Sequence, residues 1–209
     1  MEQGTPLPGV STYEEALAEA SRPRPYIRTE DVYQTDKDDG TAGYSDKALA
    51  LVSGSEKTGV PQGANAVGMV GAAKHGVVAV QLFARVNPDT RIVEEAGFRA
   101  HGCLAMIASG AAAALLVEGR PIEEAAACTP QAVAGVRGEV PADKRYTATY
   151  AAEAARAMAG DFELRRGATF EQMESREHAC DPDSVSCILC ENCSLRDSLV
   201  DLRFGGPRG

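Results

Sequence analysis

A chain of 209 residues, 44% hydrophobic and 24% charged, has room for one ordinary core and a small second module, which excludes wholesale disorder. A formal charge of −9 argues against nucleic-acid binding, which rests on clustered Lys and Arg. With no tryptophan and 5% aromatic residues, the core is expected to be built from Ala, Val, Leu and Ile.

Residues 1–43 read as an N-terminal extension, punctuated by Pro6, Pro8, Pro23 and Pro25 and ending in a charged, turn-prone run at 36–40. Within it, Ser11 caps a short helical stretch reaching Ala20, with Glu14 and Glu15 in its first turns. The first residues lack the basic and apolar regions of a signal peptide. The longest apolar run, Leu104 to Val117, is broken by Ser109 and Gly110 and is too short for a bilayer. The expectation is a cytoplasmic protein with no membrane association.

Ser45 to Val52 is predicted to be a helix, followed by a Gly- and Ser-rich loop from Ser53 to Ala73. Val77 to Val86 reads as a strand, Asn87 to Thr90 as a turn, and Arg91 to Arg99 as a second strand, together a hairpin. From Cys103 to Glu118 the period becomes helical, with Leu104, Ile107, Ala108, Ala111, Ala112 and Leu115 on one face and Gly119 closing it. Pro121 opens the next helix, with Glu123 and Glu124 in its first turn. A long helix is predicted from Arg145 to Phe162, with Tyr146, Tyr150, Ala154, Ala157 and Met158 on one side. Strands first and helices afterwards imply an α+β fold, a small antiparallel sheet with helices packed on one face. The expected division is an extension at 1–43, a central α+β domain at 44–166 and a C-terminal cysteine-rich metal-binding segment at 167–209.

Two groups of residues bear on chemistry. Cys103 stands on a glycine corner at the start of a helix, where the macrodipole favours the thiolate, the form that binds metals and carries sulfur. His101 lies two residues earlier, which on an extended segment places both side chains on one face. His75 precedes the first strand of the hairpin, which carries it towards Cys103. Taken singly, the cysteine also reads as a small buried hydrophobe and each histidine as an ordinary polar contact. Cys128, on an alanine-rich stretch, reads as a core residue.

The second group is Cys180, Cys187, Cys190 and Cys193, with the spacing C-x6-C-x2-C-x2-C. Four thiolates match the ligand count of a tetrahedral zinc site or of a four-iron cluster. Three cysteines in one tight loop suit the faces of a 4Fe-4S cube better than the paired knuckles of zinc; zinc and redox-labile thiols are the alternatives. His178 is close enough to be an alternative ligand, although an exposed loop histidine is the simpler reading.

Met69-Val70-Gly71-Ala72, Gly102-Cys103 with Ile107-Ala108-Ser109, and Val117-Glu118-Gly119-Arg120 with Ile122-Glu123-Glu124-Ala125 form an ordered series. Pro141 and Lys144, then Ala152-Glu153-Ala154, complete it. On these residues the region from Tyr44 to Phe162 resembles the scaffold domain of iron–sulfur cluster assembly, the NifU/IscU type. The resemblance implies an exposed cluster held by three cysteines and an aspartate, and partners such as a cysteine desulfurase or a client iron–sulfur apoprotein. On that pattern the second cysteine is Cys103. The first falls on His75, the aspartate on Val77, and the final His-Cys pair on Tyr146-Thr147. Cys103, His75 and His101 are then candidate ligands of a single metal or of a cluster shared between subunits. Persulfide acceptance by Cys103, or no metal role, stays open.

The leading expectation is a non-enzymatic, homo-oligomeric iron–sulfur scaffold or carrier that binds its cluster through the C-terminal cysteines. An electron-transfer or redox-sensing protein and a zinc-binding structural adaptor are the alternatives. No intact acid/base pair, nucleophile triad or phosphate-cradling loop points to an enzyme.

Overall fold

The computed structural model describes residues 40–54, 57–71, 79–174 and 193–204. The short helix expected at Ser11 to Ala20, His75, Val77, His178, Cys180, Cys187 and Cys190 lie outside the described residues.

Three strands, β1 (Ala66–Val70), β2 (Val80–Val86) and β3 (Val93–Ala100), form an antiparallel sheet in sequence order. Along β2 the burial alternates strictly: Val80, Leu82, Ala84 and Val86 face the core while Gln81, Phe83 and Arg85 are half-buried. That period of two gives the sheet one packed face, and the helices cover it. The chief cover is α2 (Leu104–Val117) over β3 and β2, and α5 (Thr147–Arg165) over β1 and β2. Three smaller helices, α1 (Asp46–Gly54), α3 (Ile122–Ala126) and α4 (Pro130–Arg137), surround α2 and α5. After α5 come α6 (Phe170–Glu174) and α7 (Ser194–Phe204). The α+β architecture read from the sequence is the one observed.

Three expectations change. The stretch from Ser53 to Ala73 is not a continuous loop, because it contains β1, and the hairpin grows to a three-stranded sheet. Its residues hide the strand: Ala66 and Gly68 have weak β propensity, and only Val67 and Val70 are β-branched. Gly68 is required by close approach, since a Cβ there would lie 2.0 Å from the Ala154 carbonyl oxygen and 2.4 Å from the Met158 nitrogen. The single apolar face expected for α2 is also replaced by burial nearly all round. Ala105, Met106, Ser109, Gly110, Ala113, Ala114 and Val117 are buried, whereas Leu115 is 44% exposed and Leu104 and Ile107 are half-buried. Enclosed by the sheet and by neighbouring helices, α2 turns its small residues to the closest contacts. Tyr146 likewise does not share the buried side of α5; it precedes the helix and is 49% exposed.

Both sheet edges are covered, which removes unpaired backbone that would otherwise template aggregation. On β3 the Phe98 amide donates to the Lys57 carbonyl and the Val93 amide to the Arg120 carbonyl, and the Ala96 amide donates to Glu118 Oε2 at 2.9 Å. On β1 the Val67 amide donates to Asp161 Oδ2 and the Met69 amide to Ser194 Oγ, while Val70 forms a bridge with Cys193.

Glu118 ties three elements together, pairing with Lys57 as well as with the Ala96 amide. Burial pushes its carboxyl up, but the Lys57 ammonium and the Ala96 amide outweigh that and hold it below its ordinary value of 4.5. A carboxyl depressed in the folded state contributes stability that is present above the unfolded value and is lost as pH falls through the folded one. Glu118→Gln is therefore expected to flatten the fall in urea-denaturation stability below a pH of about 4.5. A variant whose acid limb matched the parent's would refute the assignment.

No helix among the described residues is long and apolar enough to cross a membrane.

Candidate functional site

The corner at Cys103 is built by backbone geometry. Strand β3 ends with the His101 amide donating to the Ala79 carbonyl, and Gly102 then turns the chain at φ +124°, a conformation that L side chains rarely adopt. Cys103 follows as the N-cap of α2, extended at φ −76° and ψ 165°, and its carbonyl accepts the Met106 and Ile107 amides. The turn at Gly102 breaks the extended course on which a shared face for His101 and Cys103 was expected. His101 is exposed, and its ring makes no hydrogen bond among the described residues.

The half-buried Cys103 side chain packs where the two hydrophobic clusters of the core meet. Beside it are Tyr44, ahead of α1, and Lys144, in the 3-10 turn Ala142–Lys144 that leads into α5. Burial pushes the Tyr44 phenol above its ordinary range, and a charge on Cys103 adds to the shift. Lys144 is raised chiefly by its hydrogen bond to Asp143, with a smaller contribution from Cys103. Cys103 thus sits within electrostatic reach of one phenol and one ammonium.

The position matching the family's last cysteine, Thr147, is fully buried at the first turn of α5. Its Oγ1 donates to the Lys144 carbonyl at 2.9 Å and accepts from Arg137 Nη1 at 3.0 Å. It also meets Ser109 Oγ at 2.9 Å, and with its own proton committed to Lys144 it is the acceptor there. One donated and two accepted bonds exhaust a hydroxyl. Thr147 therefore has no lone pair left for a metal, and the guanidinium beside it repels one. Among the described residues no three of His, Cys, Asp and Glu are grouped to hold a metal ion. With Cys103 the single soft ligand at this corner, the described residues do not fit a cluster cradle.

Of the C-terminal cysteines, Cys193 is described. It is 7% exposed, belongs to the main hydrophobic core and bridges Val70 immediately before α7. From there α7 docks on β1 and α5: Ser194 Oγ accepts the Met69 amide, and Leu195 lies over Gly160. Cys193, Val70, Val80 and Ala100 form one row across the sheet. At about 4.8 Å per strand the row spans roughly 15 Å. Ala100, three residues before Cys103, ends that row, so Cys193 and the Cys103 corner lie towards the same end of the sheet.

Sequence reasoning missed Arg137 and Tyr44. A single arginine in the last turn of a short helix is ordinarily a surface residue, so its burial had no signal in the pattern. Ser109, the one hydroxyl in an alanine-rich run, was the available clue to a buried polar partner. Cys128 is a core residue, as expected: burial pushes its thiol up to about 11. In the folded protein iodoacetamide is expected to label Cys103 well before Cys128, as read by mass spectrometry of tryptic peptides; equal labelling would contradict the packing.

A small antiparallel sheet covered on one face by alanine-rich helices, with a cysteine capping the helix after its third strand, is the layout of a cluster-assembly scaffold domain. The chain belongs to the NifU/IscU family of iron–sulfur cluster assembly scaffolds, matching the NifU-like N terminal domain over residues 43–169. It is 28% identical over 168 residues to the nitrogen fixation protein NifU of Azotobacter chroococcum, a match covering 78% of this chain and 54% of that protein. The chain thus spans about half the length of that relative. It is 33% identical over 124 residues to the iron-sulfur cluster assembly scaffold protein IscU 1 of Archaeoglobus fulgidus, covering 59% of this chain and 79% of that one. Among solved structures it resembles the N-terminal part of a nitrogen-fixing NifU-like protein from Brucella abortus, with a TM-score of 0.43 and 15% identity over 57% of this chain and 94% of that one.

Proposed function

We propose that this chain is a non-enzymatic iron–sulfur scaffold or carrier whose cluster is held by Cys180, Cys187, Cys190 and Cys193 rather than at the family's usual position. The observation that carries this reading is the saturated hydroxyl of Thr147, locked to Arg137 and Ser109 where a thiolate ligand is expected. A second supports it: the four-cysteine tract ends at Cys193, which is attached to the scaffold's own sheet edge. The cargo is a 4Fe-4S cluster, received with sulfur from a cysteine desulfurase and delivered to a client apoprotein. The net charge of −9 suits docking to basic partners, and the protein acts as a homo-oligomer in the cytoplasm.

The burial of Cys193 favours a second reading, in which the group is resident and serves electron transfer or redox sensing. A ligand packed into the core holds its metal more permanently than one on an exposed lip.

Anaerobically purified protein is expected to be brown, with broad absorption near ~400 nm and about four irons per chain. Cys187→Ser should lose most of that iron, and Cys103→Ser should keep it. Colourless protein with one zinc, or full iron in Cys187→Ser, would overturn the assignment. Transfer of the cluster to an apo-ferredoxin separates carrier from electron-transfer protein.

A further inference from the structure

Behind the Thr147 network lies a cavity of about 510 Å3 bounded by α4, the residues that follow it and the first turn of α5. Arg137 and Arg145 both line it, close enough that the Arg145 charge disfavours that of Arg137. Arg137 is 3% exposed. Its Nε is taken by the Gly138 carbonyl and its Nη1 by the hydroxyls of Ser109 and Thr147, all neutral groups. Its Nη2 makes no hydrogen bond among the described residues and is not fully sealed from solvent, and the side chain lines the cavity. Neither arginine has a carboxylate partner among the described residues. Glu139 lines the same cavity but is exposed and pairs with neither.

A buried cation with no counter-charge is costly, because its lost hydration is not repaid by neutral partners. The exposed Arg145 on the same wall repels the buried Arg137 until an anion is placed between them. The positive end of the α5 dipole adds to the same field. Pro130, Ala134 and Val140 add apolar wall beside Gln131 and Glu139, and the volume is that of a small-molecule site.

We infer that the cavity at Arg137 and Arg145 is a binding site for a small oxyanion, a phosphate- or carboxylate-bearing molecule whose charged group bridges the two guanidinium groups. The site uses no residue of the cysteine tract and does not depend on any bound cluster. Gln131, on the rim, can donate a further hydrogen bond.

The test is calorimetric titration of the full chain at low ionic strength with inorganic phosphate and, separately, with citrate. Binding of phosphate identifies a phosphate site and binding of citrate a carboxylate site; either supports the proposal. Arg145→Ala, an exposed position, is expected to weaken the binding about tenfold, the loss of one charge-assisted contact. Arg166→Ala, away from the cavity, should leave it unchanged. Arg137→Lys is expected to weaken it further if the variant folds, and Arg145→Ala decides the matter if it does not. No binding of either probe up to roughly 10 mM, or equal weakening in Arg145→Ala and Arg166→Ala, overturns the proposal.

Discussion

Gly68→Val is expected to remove most of the stability of this domain, lowering its unfolding free energy by about 3–5 kcal/mol. The reason is the contact between β1 and α5. A side chain at residue 68 would enter the backbone of α5 at Ala154 and Met158, and no rotamer change can relieve a clash with a carbonyl oxygen and an amide nitrogen. Relief would need the helix to move off the strand, which opens the core around Val70, Ala154 and Met158, all fully buried. Even Gly68→Ala meets the same atoms. Urea denaturation followed by circular dichroism reads the change. A Gly68→Val midpoint equivalent to within about 1 kcal/mol of the parent would show that β1 and α5 are not packed this closely.

Leu195→Asp is expected to release α7 from the scaffold while leaving the sheet folded. Leu195 packs over Gly160 against the main core, and a carboxylate there meets apolar neighbours without a partner. The loss of about 2–4 kcal/mol falls on the docking of a single helix. Amide exchange across Ser194–Phe204 should therefore quicken by at least about thirtyfold, with the Val80–Val86 strand unchanged. Cys193 would leave the core and the bridge to Val70 with it, so the proposed cluster should be lost or exchange more readily. Unchanged exchange in α7 would refute the docking. Quickened exchange with full iron content would separate the docking from metal binding.

Arg137 changes the meaning of the Cys103 corner. In sequence, Gly102-Cys103 at a strand-to-helix junction reads as the centre of a reactive site, and the family to which the chain belongs is one of cluster scaffolds. In the fold, the Thr147 hydroxyl is saturated and a buried guanidinium stands beside it. The corner presents positive charge where the family pattern places a thiolate ligand. Cys103 has a phenol and an ammonium within electrostatic reach.

The amino-acid sequence by itself determined the fold class and the family. The alternation of Val80 to Val86, the glycine corner before Cys103 and the alanine-rich helices are local signals whose periods survive without tertiary contacts. It also determined that Cys128 belongs to the core. Tertiary structure alone decided that Ala66–Val70 is a strand, because Gly68 is chosen for helix contact rather than for β propensity. It alone decided which residues of α2 are buried, since a helix enclosed on several sides has no single apolar face to read. The alliance of Ser109, Arg137 and Thr147 joins positions 28, 38 and 10 residues apart, beyond the reach of any local period. The attachment of Cys193 to Val70 spans still more of the chain. Both depend on burial and on hydrogen bonds closed by the fold, so they emerge only when the packed molecule brings those side chains together.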